Sequence, residues 1–498
     1  MGDDRKAGAW TAPRDRDHPI PWLGLAGVLV LAAGLRIAGA RGDLWFDEVW
    51  SVDLIRPIET AAGIFTAINH DNNHFLNSLW MWTVGLDAAP LALRAASIVL
   101  GLVAVLAAGL IGARRSPATA LLSALAVAIA YGEVHYASEA RGWSGMIAVL
   151  LIEILLIERA LPDRTTPLLA VAIGLLAVIG LGWQMFLLPS LFVLGLWALN
   201  AVGMRTHDPR AALGHALATF WVAAIGVVAV LAGLAWLRRA HGFTGGGLAP
   251  FTLSDLLDGY GTMIASVAGL PVSVPPVATL IGAAVLLGLA VALTRGRDDD
   301  RVGLWIAFLV GLPVLMIAVR LPNVDMARYH LAGATVFLLM LADLVATAWS
   351  RGGAGRLLAV VVAAGFVLGN GWSLARFLGE GRGHFTEAVA RIGTEGPIVA
   401  SGDHDLRGSK LLLHHARRLG LEARWIESED LCRDLPRWLL VEDSWRWNER
   451  MRPIVEHCPI AFGRAFRVDH WGLSGASWTV YRVEGRASVL SEVDPQTP

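Results

Sequence analysis

The sequence predicts an α-helical polytopic membrane protein of about eleven transmembrane helices, followed by a small extracytoplasmic C-terminal α/β domain. Three observations predict it. Of the 498 residues 55% are hydrophobic and 17% charged, with a mean hydropathy of +0.55; a soluble chain of this size needs more charge to cover its surface. Eleven apolar runs approach the roughly 20 residues that cross a bilayer. With the N-terminus inside, every cytoplasm-facing connection carries arginine: Arg14 and Arg16, Arg114 and Arg115, Arg159 and Arg164, Arg205 and Arg210, Arg295, Arg297 and Arg301, then Arg351 and Arg356. Positive charge stays on the cytoplasmic side during insertion, which fixes orientation as well as span count.

Residues 1–19 form a cytoplasmic N-terminal segment, and the run from Trp22 to Ala40 is a retained anchor rather than a cleaved signal. The spans read 20–40, 91–112, 117–135, 142–159, 167–182, 184–203, 213–236, 276–294, 302–319, 330–348 and 356–374, within a membrane domain of 20–374. The run 167–203 is too long for one crossing and has arginine on both sides, so it returns at Gly180, Gly182 and Trp183. Arg238 and Arg239 fall on the outer side, against the pattern. Two outer loops are long. The first, 41–90, contains an amphipathic stretch from Phe75 to Trp82 whose aromatics suit an interfacial helix. The second, 239–275, has a Gly245–Gly247 tether and a short helix from Ser254. No internal repeat is visible.

The segment 375–498 is charged and has no spanning run. Strands are expected at Pro397–Ser401 and Trp438–Val441, a helix over Leu406–Leu419, and an edge or meander strand at Trp478–Val483. Cys432 and Cys458 both lie here, and a disulfide and a pair of buried thiols are both open readings. The balance of 41 basic against 42 acidic residues argues against a nucleic-acid partner.

Four polar clusters fall on the outer face. Asp47 and Glu48 stand right after the first span, hemmed by Trp45, Phe46 and Trp50. Partial desolvation at a membrane edge raises a carboxylate's basicity and suits it to take a proton from a hydroxyl. Asn69 to His74 is a dense polar run whose His70, Asn72, Asn73 and His74 can orient sugar hydroxyls or a phosphate. The loop between the third and fourth spans carries His135, Glu139 and Arg141, and the tenth span opens on Arg328 and Tyr329. An arginine offers a planar fork for phosphate, although snorkelling at a helix end is a competing account of Arg328. Within the spans, Glu153 and Asp343 read as structurally satisfied. The pair His414 and His415 belongs to a polar helix face with no metal-ligand spacing.

The first span followed by Phe46-Asp47-Glu48, the run from His70 to His74, Pro90–Ser97 opening the second span, and Tyr136–Trp143 resemble polytopic GT-C glycosyltransferases. The nearest branch looks like the bacterial mannosyltransferase-related and aminoarabinose-transferase-like enzymes, over about residues 20–200. The resemblance implies a bacterial inner-membrane enzyme with a polyprenyl-phosphate sugar as lipid-linked co-substrate and a cell-envelope glycan, lipid or protein as acceptor. It implies Asp47 as catalytic base, with Glu48 assisting. Arg141, Arg328, Tyr329 and His74 would hold the donor phosphate, and Asn72, Asn73, His70, Glu139 and His135 the substrates. A divalent cation, Mg or Mn, held by Asp47 and Glu139 is left open. Two positions depart from the family pattern: Asn72-Asn73-His74 stands in place of His-Pro-Pro or Lys-Pro-Pro, and Gln184 in place of a His. The alternative is a lipid or solute transporter or flippase that cleaves no bond. Transporters place polar residues at the midplane and often carry inverted repeats; clusters at one face and no repeat favour the enzyme.

Overall fold

The computed structural model describes residues 19–161, 165–243, 249–270, 300–442, 458 and 460–486. The expected span 276–294, the glycine tether, the first 18 residues, and Arg164, Arg295 and Arg297 lie outside the described residues. The chain is an α-helical polytopic membrane protein. Among the described residues, seven helices are long and apolar enough to cross a membrane.

Several helices begin with the same local chemistry. Pro90, Pro117, Pro167 and Pro209 open α5 (Pro90–Ala113), α6 (Pro117–Ile129), α9 (Pro167–Trp183) and α11 (Pro209–His241). Proline's fixed φ suits the first turn, where its missing N–H would have had no partner. Ser116, Thr166 and Asp208 precede three of them and accept backbone N–H groups from Thr119, Leu169 and Arg210, the usual N-cap exchange. Between these lie α1 (Trp22–Gly39), α8 (Trp143–Ala160) and α10 (Leu187–Thr206), with Arg301–Ala318, Leu331–Ser350 and Gly353–Glu380 beyond α12 (Leu253–Ala268). Ten of the eleven expected spans are therefore helical, and the long run 167–203 does turn after Trp183, where Gln184 is extended.

One span is broken. Ala130 leaves the helical conformation at ψ 123°, splitting the expected 117–135 into α6 and a short α7 (Tyr131–Tyr136). The freed carbonyls of Val127 and Ala128 each accept from the Arg36 guanidinium at 3.1 Å, and the Tyr131 N–H donates to Asn370 at 2.7 Å. Backbone freed inside a membrane is tolerated only where the protein itself supplies partners, and α1 and Gly353–Glu380 supply them. The expectation for Glu153 is not met: both carboxylate oxygens are buried in α8 without a hydrogen-bond partner among the described residues.

The loop between the first two expected spans folds into α2 (Phe46–Ile55), α3 (Ala61–Thr66) and α4 (Phe75–Val84). The indoles of Trp80 and Trp82 donate to the carbonyls of Ala92 and Ile58 at 3.1 and 3.0 Å, fixing α4 to its neighbours. The C-terminal region carries a five-stranded sheet of order β2-β1-β3-β5-β4. Here β1 is Ile398–Gly402, β2 Ala423–Trp425, β3 Trp438–Glu442, β4 Ile460–Val468 and β5 Trp478–Arg486. Strands β1, β2 and β3 run parallel, and β5 runs antiparallel to both β3 and β4. Strand β5 pairs with both β3 and β4, so it is an interior strand, neither an edge nor part of a meander. Cys432 and Cys458 are joined in a disulfide with Cα atoms 5.2 Å apart. Trp45, Phe46 and Val49 of the first loop share one hydrophobic core with Phe385, Leu411, Trp438 and Trp478. Helix α2 is thus held between the helical bundle and the C-terminal sheet.

Candidate active site

Adjacent residues on a helix point about 100° apart, and at the start of α2 this sends two carboxylates to different fates. Glu48 turns inward. It takes the Trp45 N–H at 3.1 Å as a capping box, the Ala140 N–H at 2.6 Å, and Arg94 at 2.8 and 2.5 Å. Arg94 also donates to the carbonyls of Ala40, Gly42 and Asp43. Both side chains are fully buried, and their bonds tie the junction between α1 and α5 to the turn that carries Ala140.

Asp47 turns outward onto the wall of a cavity of about 560 Å³. Its Oδ2 lies 3.4 Å from Arg141 and 3.5 Å from Arg328. Asn72 ties this corner together. Its amide nitrogen donates to the Asp47 carbonyl at 3.1 Å and to Ser51 at 3.0 Å, while its oxygen accepts from Arg141. Residues 47, 72, 141 and 328, drawn from four separate segments, therefore meet at one point.

Around that point the cavity is partly aromatic. Tyr329 stacks on Phe186 with ring centroids 3.8 Å apart, and Arg328 lies over the Tyr329 ring. Trp50 packs against Phe46 and His70 at 5.2 and 4.5 Å. His74 donates from Nδ1 to the Trp183 carbonyl at 3.3 Å, which leaves Nε2 an acceptor, buried and without a partner. Burial, reinforced by Arg141, pushes the His74 imidazole well below its usual range, so it is neutral at pH 7. Asn73 lines the same wall and holds the Ile64 carbonyl at 2.7 Å. Apolar residues of the α9–α10 junction and of α11, Leu181, Met185 and Leu234, close one side; His404 and Arg407 of the C-terminal region close another.

Glu139 and His135 do not line this cavity. Glu139 Oε1 accepts from Arg382 at 3.2 Å and from Ser474, and His135 lies 3.2 Å away. Burial disfavours the Glu139 charge, but the His135 contact and the Arg382 guanidinium outweigh it and hold the carboxyl down at about 2. His135 in turn bonds Ser474 at 2.6 Å. Asp47 and Glu139 thus face different partners, and no group of three or more His, Cys, Asp or Glu stands together among the described residues. That donor set does not fit a divalent cation.

Five contributors were not singled out from sequence: Arg94, Arg382, Ser474, His404 and Arg407. Arg94 had a signal, since a cation at the mouth of an apolar helix needs a partner. The other four come from a region more than 200 residues downstream, and nothing local marks them.

A scan against protein families finds no match, and no curated protein sequence matches. Solved structures show remote likeness. The oligosaccharyltransferase of Archaeoglobus fulgidus in the apo form is 13% identical with a TM-score of 0.44, covering 80% of this chain and 64% of its own length. ArnT from Cupriavidus metallidurans in the apo state is 15% identical with a TM-score of 0.45, covering 92% of this chain and 97% of its own. The same ArnT bound to undecaprenyl phosphate is 14% identical, with a TM-score of 0.39 over the same shares. At this distance nothing about chemistry passes from those proteins to this chain.

Proposed function

We propose that this chain is a membrane glycosyltransferase that moves a sugar from a polyprenyl-phosphate donor to an acceptor hydroxyl on the extracytoplasmic face. The observation that carries the reading is the meeting of Asp47 with Arg141 and Arg328 on the wall of a partly aromatic cavity. Two guanidiniums at one point form a phosphate cradle, and a carboxylate between them is the group a phosphate would displace. The neighbouring apolar wall from Leu181, Met185 and Leu234 suits a lipid chain. The resemblance of the first outer loop to GT-C enzymes supports the same assignment.

The chemistry is a single inverting displacement. The donor phosphate takes over the guanidinium contacts of Arg141 and Arg328, leaving Asp47 to face the acceptor. Asp47 accepts the acceptor hydroxyl proton, and the oxygen forms its bond to the anomeric carbon. The bond from that carbon to the phosphate oxygen breaks, and the leaving polyprenyl phosphate keeps the electron pair beside the two arginines. Positioning and charge stabilisation supply most of the acceleration. Neutral His74, with a free Nε2, and Asn73 offer acceptors and donors for sugar hydroxyls. Glu48 acts as structure rather than as a second base, since Arg94 and two backbone N–H groups occupy its carboxylate.

The test is purified protein in proteoliposomes with a radiolabelled polyprenyl-phosphate sugar and envelope extract as acceptor. Release of free polyprenyl phosphate with transfer of label supports the proposal. Movement of intact donor across the bilayer without cleavage overturns it in favour of a transporter.

A further inference from the structure

The turn Ser138–Gly142 aims Arg141 at Asp47, and its backbone is held from every side. The Ala140 N–H is taken by Glu48 at 2.6 Å, and the Arg141 carbonyl by Ser97 at 2.9 Å. The Glu139 side chain is anchored by His135 on α7, 3.2 Å away, and by two residues from beyond the membrane helices. Arg382, 4% exposed, donates to Glu139 at 3.2 Å, to the His135 carbonyl at 2.6 Å, to Ser138 at 3.0 Å and to the Gly39 carbonyl at 2.9 Å. One guanidinium therefore spans the end of α1 and the start of the turn. Ser474, from the segment between β4 and β5, donates to the same Glu139 oxygen. The Arg382 carbonyl accepts the Ala476 N–H at 3.1 Å, so the arginine and the β4–β5 connection move together.

We infer that Arg382 and Glu139 are positioning residues for the transfer reaction: the C-terminal region sets the donor-phosphate cradle by fixing the turn that carries Arg141. This rests on the assignment of Arg141 to the phosphate. It gives the C-terminal region a part in the reaction although Arg382, Ser474 and Glu139 do not line the cavity. It also separates Glu139 from metal binding and from proton transfer, because a bound oxygen at that place serves shape and hydrogen bonding.

Binding of undecaprenyl monophosphate to the full chain in lipid nanodiscs, followed by native mass spectrometry, tests it. R382A and E139A are expected to weaken binding at least tenfold, and S474A about threefold. E139Q, which keeps an acceptor oxygen for Arg382 and Ser474, is expected to stay within about threefold of wild type. A positioning role predicts this rescue by glutamine; a metal ligand would lose as much with glutamine as with alanine, and a base would lose no binding with either. Equal loss in E139Q and E139A overturns the inference. If R382A fails to fold, S474A and E139Q still decide, since unchanged binding in S474A together with loss in E139Q contradicts it. R141A is the reference: if R141A keeps full affinity, the functional assignment itself fails. If R141A loses affinity while R382A and E139A keep it, only the positioning role fails.

Discussion

In the proposed reaction Asp47 has two jobs, and replacing it by asparagine separates them, since the side chain keeps its shape and loses its charge. The carboxylate pairs with Arg141 at 3.4 Å and Arg328 at 3.5 Å. At an effective dielectric near 20, a unit pair about 4 Å apart carries about 4 kcal/mol of Coulomb energy. A donor phosphate must displace those contacts before it can bind, and asparagine removes the competition. Asp47→Asn is therefore expected to bind undecaprenyl phosphate at least as tightly as wild type, up to about tenfold tighter. Turnover should fall by at least about 10²-fold, the lower end of what a general base contributes. The assay pairs single-turnover release of polyprenyl phosphate in proteoliposomes with phosphate-lipid binding on the same preparation. Turnover within threefold of wild type refutes the base assignment. Joint loss of turnover and binding refutes it differently, by showing that Asp47 organises the two arginines and takes no proton.

Four further outcomes follow from the contacts. Glu48→Ala or Arg94→Ala leaves a buried charge unpaired, which costs about 3–5 kcal/mol, so thermal unfolding in detergent should show a strong loss of stability in either variant. Gly142→Ala puts a Cβ 1.7 Å from the Trp183 carbonyl oxygen. The turn bearing Arg141 must shift, and transfer should drop at least about 10²-fold, in line with the sensitivity of oriented reactants to displacement; near-normal turnover would contradict the close packing. His74 is held below its usual pKa, so the unfolded chain takes the proton first. Stability is then full above about pH 6.5 and declines as pH falls below it, and His74→Asn should flatten that decline in a melting series from pH 7.5 to 5. Cys432 and Cys458 close a loop with a separation of 26 residues, worth about 3–4 kcal/mol in the chain-entropy account; the double serine variant should show a matching loss in the unfolding of the C-terminal region.

Much of this fold was legible because membrane spans are written in composition and length, signals that survive without any tertiary information. The return of the chain after Trp183 was readable for the same reason, as a run too long for one crossing. The break at Ala130 was not. Nothing local marks that alanine, and the irregular backbone exists because Arg36 and Asn370, from distant helices, supply its hydrogen bonds. The polar clusters of the candidate site were legible as clusters, since dense polar runs beside apolar spans stand out. Their internal division of labour was not. Asp47 and Glu48 are chemically alike and adjacent, and only the direction each takes from α2 sends one to the cavity and the other to Arg94. Glu139 and Arg141 show the same split across a single intervening residue.

That split follows from how a wet site is kept at a membrane edge. Arginines that face a cavity need a carboxylate while no substrate is bound, and that carboxylate must yield when phosphate arrives. In the proposed reaction Asp47 would meet this need, since its two ion pairs, at 3.4 and 3.5 Å, are looser than the contacts of Glu48 at 2.5 and 2.8 Å. The fully enclosed pairs, Glu48 with Arg94 and Glu139 with Arg382, flank the turn that carries Arg141 and share no hydrogen-bond partner with Asp47. A site of this kind can exchange one set of charges for a substrate's without disturbing the other. The ordering is open to measurement: double-mutant cycles on stability should give stronger coupling for Glu48 with Arg94 than for Asp47 with Arg141. Polyprenyl phosphate should weaken the second coupling and leave the first unchanged.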